Sequence, residues 1–153
     1  MLTVEVTEVI ACTPDELLEF AMDPERYAEV DTKIRPVVWV RREGNVTEFK
    51  FRSKLAGLPG PPTVSRMTLT PGKRVDVALA PPPANKMTRL ASNFTASFVC
   101  TPVDGGTQLV RTLNFDFKPF IGWLAEPMLR KWLNKDVRDE VRLAKAYLER
   151  DRT

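Results

Sequence analysis

Two charged residues interrupt runs that are otherwise apolar on one side. Glu8 follows Leu2, Val4 and Val6 at a spacing of two, and Arg111 lies between Leu109 and Leu113 in a second alternating run. An unpaired charge on a buried strand face costs several kcal/mol, whereas a paired one persists. The chemistry such groups offer is specific. A carboxylate held away from water can act as an acid or base, and a guanidinium can hold a carboxylate or carbonyl oxygen. Asp116 and Tyr27 are weaker candidates for the same work. The bland alternative is that Glu8 and Arg111 sit at strand ends and reach water.

The remaining chemistry is narrowed by what is missing. Histidine is absent, which removes Ser-His and Cys-His nucleophile pairs and every histidine-containing zinc site. Cys12 and Cys100 are too few and too distant to make a metal site with scattered carboxylates, so no metal or cofactor is expected. Met1 to Ile10 alternates apolar residues with Glu5 and Glu8, unlike the continuous apolar core of a signal peptide. The chain is therefore read as cytoplasmic, with Cys12 and Cys100 as buried thiols rather than a disulfide. No run approaches the roughly 18 apolar residues of a membrane span. The 23 basic residues face 20 acidic ones. Along the C-terminal segment Arg130, Lys131, Lys135, Arg138 and Arg142 alternate with Asp136, Asp139 and Glu140. That pattern reads as a solvated helix face with local ion pairs, not as a nucleic-acid stripe.

The elements that must position these groups follow from periodicity. Leu2 to Ile10 is a strand with one buried face. Thr13-Pro14-Asp15-Glu16 starts a helix, with Thr13 as cap, and Asp23-Pro24 starts a second short one to about Glu29. Six further strands are expected: 37–42, 46–55, 63–70, 74–79, 90–101 and 107–118. Turn signals separate them in pairs, Glu43-Gly44-Asn45, Pro71-Gly72-Lys73 and Val103-Asp104-Gly105-Gly106. The last hairpin can turn on Asp104-Gly105 or on Gly105-Gly106. After Pro119 the period becomes helical, with Leu124, Met128, Trp132, Val137, Val141, Ala144 and Leu148 on one face. Pro127 interrupts the pattern and offers a second start for the helix proper, with Phe120 to Glu126 as a separate turn.

This order is one α+β domain over residues 1–153, a seven-stranded antiparallel sheet that buries a long helix. Strand parity assigns the inner face. Phe94, Ala96, Phe98 and Cys100 share it with Leu109, Leu113, Phe115 and Phe117, and Val37 and Trp39 share it with Phe49 and Phe51. Val77 supplies the middle of the sheet, and Leu124, Met128 and Trp132 supply a helix wall. Trp39, Phe49, Phe51, Phe98 and Phe115 would suit a ring-bearing ligand. Trp123, Leu124 and Leu129 are open to a second reading, as apolar surface near the mouth where a membrane or partner could dock.

The element order, the short helix pair around Asp23-Pro24 and the closing helix through Tyr147-Leu148-Glu149 resemble the START/Bet v 1-like superfamily. The polyketide cyclase/dehydrase and lipid-transport branch is the nearest in pattern. The resemblance implies a helix-grip fold with a pocket for lipids, polyketides or similar molecules. It also implies that the first and last strands are antiparallel neighbours. Matching Leu2 with Phe117 then sets Glu8 opposite Arg111, as a cross-strand ion pair facing the cavity. Ala56-Gly57-Leu58-Pro59-Gly60 is similar to the Ser-Gly-Leu-Pro-Ala gate of plant abscisic-acid receptors, and Thr88-Arg89-Leu90 resembles their latch without its histidine. Leu58 is accordingly expected over the pocket mouth.

The expected function is binding or carriage of a small hydrophobic molecule. A polyketide cyclase or dehydratase using Glu8 and Arg111 is the alternative, and a protein-interaction or stress-related factor is a second one. The superfamily contains carriers, receptors and enzymes, so the fold leaves the choice to the site.

Overall fold

A capping box begins the first helix, as the sequence predicts: Thr13 Oγ1 accepts from Glu16 N at 3.1 Å, and Glu16 reaches back to Thr13 N. In the computed structural model, which describes residues 1–150, this helix, α1 (Pro14–Ala21), follows strand β1 (Leu2–Ile10). Helix α2 (Pro24–Tyr27) is capped by Asp23, and a single tight turn, Thr32–Ile34, leads into the sheet. Then come β2 (Val37–Glu43), β3 (Val46–Leu55), β4 (Leu58–Thr70), β5 (Arg74–Leu79), α3 (Lys86–Ala91), β6 (Ser92–Val103), β7 (Gly106–Phe117) and α4 (Pro119–Glu149). The seven strands form one antiparallel sheet in the order β1-β7-β6-β5-β4-β3-β2, the helix-grip architecture expected from the sequence.

Parity places the residues of the last hairpin correctly. Phe94 pairs with Phe115, Ala96 with Leu113, Phe98 with Arg111 and Cys100 with Leu109. Val103 pairs with Gly106, so the turn is on Asp104-Gly105. Gly106 also lies against β1: a Cβ there would sit 2.1 Å from the Ile10 carbonyl oxygen. Only glycine lets the two strands meet at that point.

Four expectations about the elements need correction. β1 pairs with β7 two residues away from the expected register, with Leu2 opposite Phe115, Val6 opposite Arg111 and Glu8 opposite Leu109. A shift of two keeps every side chain on its face, so alternation could not detect it. In β2 a bulge after Val37 sets Trp39 opposite Lys50 and gives Val40 the place opposite Phe49. The extra residue reverses parity, and Trp39 leaves the inner face. Residues 86–91 are helical, so β6 begins at Ser92 rather than Leu90. Finally, α4 runs unbroken from Pro119 through Pro127. Pro127 removes one backbone bond, to the carbonyl of Trp123, on a side of the helix where Trp123 is 79% exposed and water can replace it.

The buried stripe of α4 is Leu129, Leu133, Val137, Glu140, Val141 and Ala144. It packs chiefly on β1 and less on β7. The long helix therefore covers one edge of the sheet, and the middle strands face a cavity. Cys12 and Cys100 are buried and unbridged.

Candidate functional site

The cavity lies over the inner faces of β3 to β7 and under α2 and the turn after it. Its volume is about 120 Å³. An apolar cavity of roughly 150 Å³ admits benzene, so the space in this conformation suits one ring, not a full lipid. Phe49, Phe51, Val77, Phe98, Arg111 and Phe115 line it, together with Tyr27, Asp31 and Lys33. Five of the residues expected there do not, among them Leu124, which is 60% exposed on α4. Trp39 is displaced by the bulge and stacks under Arg41, whose guanidinium lies 5.6 Å from the ring centre. Leu58 is exposed at the tip of the β3–β4 hairpin, and Met128 faces solvent on α4. Trp132 packs against the core without reaching the cavity. The helix wall fails because α4 lies on β1 rather than over the middle strands.

Arg111 is the centre of the floor, and its partner is not Glu8. Arg111 Nε donates to Glu140 Oε2 at 2.9 Å, and its guanidinium lies 4.0 Å from the centre of the Phe98 ring. Glu8, two residues along β1, accepts from its own neighbour Val9 N. The expected cross-strand pair is thus absent because the register moves Glu8 opposite Leu109. Nor is Glu140 part of a solvated face; it is 1% exposed. Asp116 is exposed and outside the cavity.

Glu140 is shared by three donors. Oε1 accepts from Lys33 Nζ at 2.8 Å, and Oε2 accepts from both Arg111 and the Tyr27 hydroxyl. Lys33 Nζ also meets Asp31 Oδ1 at 2.9 Å and the Asp136 carboxylate. The ligating oxygens of Asp31, Asp136 and Glu140 lie within 4.8 Å of one another, a spacing that suits a cation. The cation among them is the Lys33 ammonium.

The electrostatics follow from burial and this pairing. Burial would raise the Glu140 pKa, but Arg111 and Lys33 outweigh it and hold the carboxyl at about 2. Burial lowers the Lys33 pKa less than Asp31, Glu140 and Asp136 raise it, so the ammonium is firmly charged. Asp31 goes the other way. Burial and then Glu140 raise its pKa, and Lys33 and Arg111 offset this only in part. Burial, reinforced by Glu140, also pushes the Tyr27 hydroxyl well up. Three carboxylates against two cations leave one negative charge in excess, and Asp31 is the carboxyl whose proton affinity burial and Glu140 raise.

One donor remains. Arg111 Nη1 is buried with no hydrogen-bond partner. A buried unsatisfied donor costs about 1–3 kcal/mol, and this one belongs to a residue lining the cavity. From Arg111 the cavity rises along β7 towards Phe115. Ser53, Thr63, Ser65, Thr88 and Ser92 add hydroxyls to its lining. Thr63 and Thr88 share a hydrogen bond of 3.0 Å, and Asn85 bridges the Val64 amide and carbonyl, tying α3 to β4. The Ala56-Gly57 turn is a tight two-residue hairpin with both residues at positive φ, and Leu58-Pro59-Gly60 belongs to β4. The latch-like Thr88-Arg89-Leu90 forms part of α3.

Sequence reasoning missed Asp31, Lys33 and Glu140. Glu140 carried a usable signal: it stands seven residues after Leu133, three after Val137 and four before Ala144, the spacing of the core stripe. Asp31 and Lys33, in a connecting loop, carried none.

The sequence model of a family described as "Polyketide cyclase / dehydrase and lipid transport" matches residues 1–149. No curated protein sequence matches. Solved structures of similar fold include TTHA0849 from Thermus thermophilus, at 17% identity and TM-score 0.79, with 99% of each chain covered. The Zhui aromatase/cyclase from Streptomyces sp. R1128 is 18% identical with TM-score 0.78, covering 99% of this chain and 95% of that one. A START superfamily protein from Mycobacterium smegmatis is 15% identical with TM-score 0.71, covering 97% of both chains.

Proposed function

Because the chain belongs to the polyketide cyclase/dehydrase and lipid transport family, we propose that it binds a small ring-bearing molecule whose carboxylate or carbonyl oxygen is taken by Arg111 at the cavity floor. The observation that carries this reading is the unpartnered Arg111 Nη1. Phe98, beneath the guanidinium, and Phe115, further up β7, give the cavity an aromatic lining beside it. The volume of about 120 Å³ limits the enclosed part to one ring. The protein is then a cytoplasmic binding protein or carrier, and its buried, unbridged cysteines fit a reducing compartment.

Calorimetry with benzoate and toluene tests it. A charge-assisted hydrogen bond is worth about 1.5–3 kcal/mol, so benzoate binds at least about ten-fold more tightly than toluene. Arg111→Met removes that preference while keeping the stem's volume. Equal affinity for the two probes, or an unchanged preference in Arg111→Met, rules the reading out.

A second reading, a cyclase or dehydratase, is favoured by Asp31. Its carboxyl, whose pKa burial and Glu140 raise, lines the cavity with Oδ2 4.0 Å from Arg111 Nη2. In that reading Arg111 holds a carbonyl and Asp31 donates a proton, the work first considered for Glu8. Turnover of a β-hydroxyketone lost in Asp31→Asn, with binding retained, would select the enzyme.

A further inference from the structure

The first turns of α4 carry two apolar stripes, and only one is buried. Ile121, Ala125 and Leu129 turn towards the protein, whereas Phe120, Trp123, Leu124 and Met128 face solvent. The exposed residues follow the spacing i, i+3, i+4, i+8, the pattern of a helix face that is covered. Phe120 is 75% exposed and Trp123 79%. They are continued at the same end of the sheet. Ser92 pairs with Phe117, so the end of α3 adjoins the start of α4. Met87 and Leu90 stand exposed on α3, and Leu58 on the neighbouring β3–β4 tip. Among the described residues nothing covers this surface. It adjoins the cavity through Thr88 and Ser92, which line the cavity from the same segment as Met87 and Leu90.

Its charge says what does. Segments 52–63, 84–92 and 116–131 hold Arg52, Lys54, Lys86, Arg89, Lys118, Arg130 and Lys131, against only Asp116 and Glu126. That excess of five positive charges exceeds the net +3 of the whole chain. A second copy docking through the same face would oppose like charges. Exposed aromatic and aliphatic side chains on segments rich in lysine and arginine match instead a surface with an apolar interior and anionic headgroups.

We propose that the face formed by Phe120, Trp123, Leu124 and Met128 with Met87, Leu90 and Leu58 docks on an anionic lipid surface and brings the cavity rim against it. The docking is peripheral, since no described helix is long and apolar enough to cross a membrane. It stands apart from the identity of the cavity's ligand, and its failure leaves the benzoate test untouched.

The test is co-sedimentation of the full chain with vesicles of equal phosphatidylglycerol and phosphatidylcholine, beside vesicles of phosphatidylcholine alone. The protein partitions onto the anionic vesicles and its tryptophan emission shifts to the blue. Phe120→Ala with Trp123→Ala reduces partitioning at least about ten-fold. Lys86→Gln and Lys118→Gln each reduce it about five-fold, while the far-end control Leu143→Ala, also at an exposed position, leaves it unchanged. Absence of binding to the anionic vesicles overturns the proposal. So does an equal loss in Leu143→Ala, or a solution dimer that dissociates in Phe120→Ala/Trp123→Ala without vesicles present.

Discussion

The floor and the mouth of the cavity break the usual partition of residues in opposite senses. At the floor Asp31, Lys33, Arg111 and Glu140 are buried, and at the mouth Phe120, Trp123 and Leu124 are exposed. The floor persists because its charges satisfy one another: Glu140 alone receives Lys33, Arg111 and Tyr27. The mouth persists because an exposed apolar side chain costs a folded monomer little. The two regions should therefore respond very differently to substitution. Floor residues are coupled, so removal of one strands the others. Mouth residues are independent, and their loss should be felt only by whatever docks there.

Removing the shared carboxylate is the largest expected effect. Glu140→Ala leaves Lys33 and Arg111 without their common partner, and breaking a buried pair costs about 3–5 kcal/mol. Urea denaturation should show a loss in that range; a loss below about 1 kcal/mol would mean that water reaches the floor.

Acid offers the next test, with opposite signs for the two carboxyls. Glu140 is lowered from 4.5 to about 2, so its stabilisation is present above the unfolded value and disappears as pH falls through about 2. Asp31 is raised, so its ionisation opposes folding, and stability falls as pH rises from its unfolded value through its folded one. The acid-induced loss between pH 4.5 and about 2 should therefore be smaller in Glu140→Gln than in the wild type. The advantage of the wild type over Asp31→Asn should shrink as pH rises. Urea midpoints across that range measure both.

Between floor and rim lies Ala96, buried and lining the cavity beside Leu113. Ala96→Phe places a ring in the space left for a ligand. Stability should change by no more than about 1–3 kcal/mol, while benzoate binding, followed by calorimetry, is lost. Retained binding would move the ligand site away from the aromatic middle of the sheet.

The mouth should give the smallest change. Trp123→Ala is expected to shift unfolding by less than about 0.5 kcal/mol, the range of ordinary surface substitutions. A loss as large as that of Glu140→Ala would show that this face is covered in the protein's own fold.

The cavity's two walls were unequally legible. That Phe94, Ala96 and Phe98 share a face with Phe115, Leu113 and Arg111 followed from counting by twos along a single hairpin, and the structure then fixed which stands opposite which. Counting failed at Trp39, where a bulge adds a residue that no local signal marks. It failed differently at Glu8, where a slip of two preserves every face and changes every neighbour. The capping box at Thr13 was legible because its partners are three residues apart.

By itself, then, the sequence determined the order of the strands and of every helix but α3, the hairpins at its three turn signals, the inner face of the last two strands and the presence of Arg111 upon it. Those are properties of neighbours along the chain, which propensity and periodicity control. Tertiary structure alone decided that Arg111 meets Glu140 rather than Glu8, that Lys33 stands among three carboxylates, and that α4 covers β1 and leaves the middle strands to a cavity. These contacts join segments far apart in the chain or cross from sheet to helix. They depend on where a rigid helix comes to rest on a sheet, which the packing of the whole core determines.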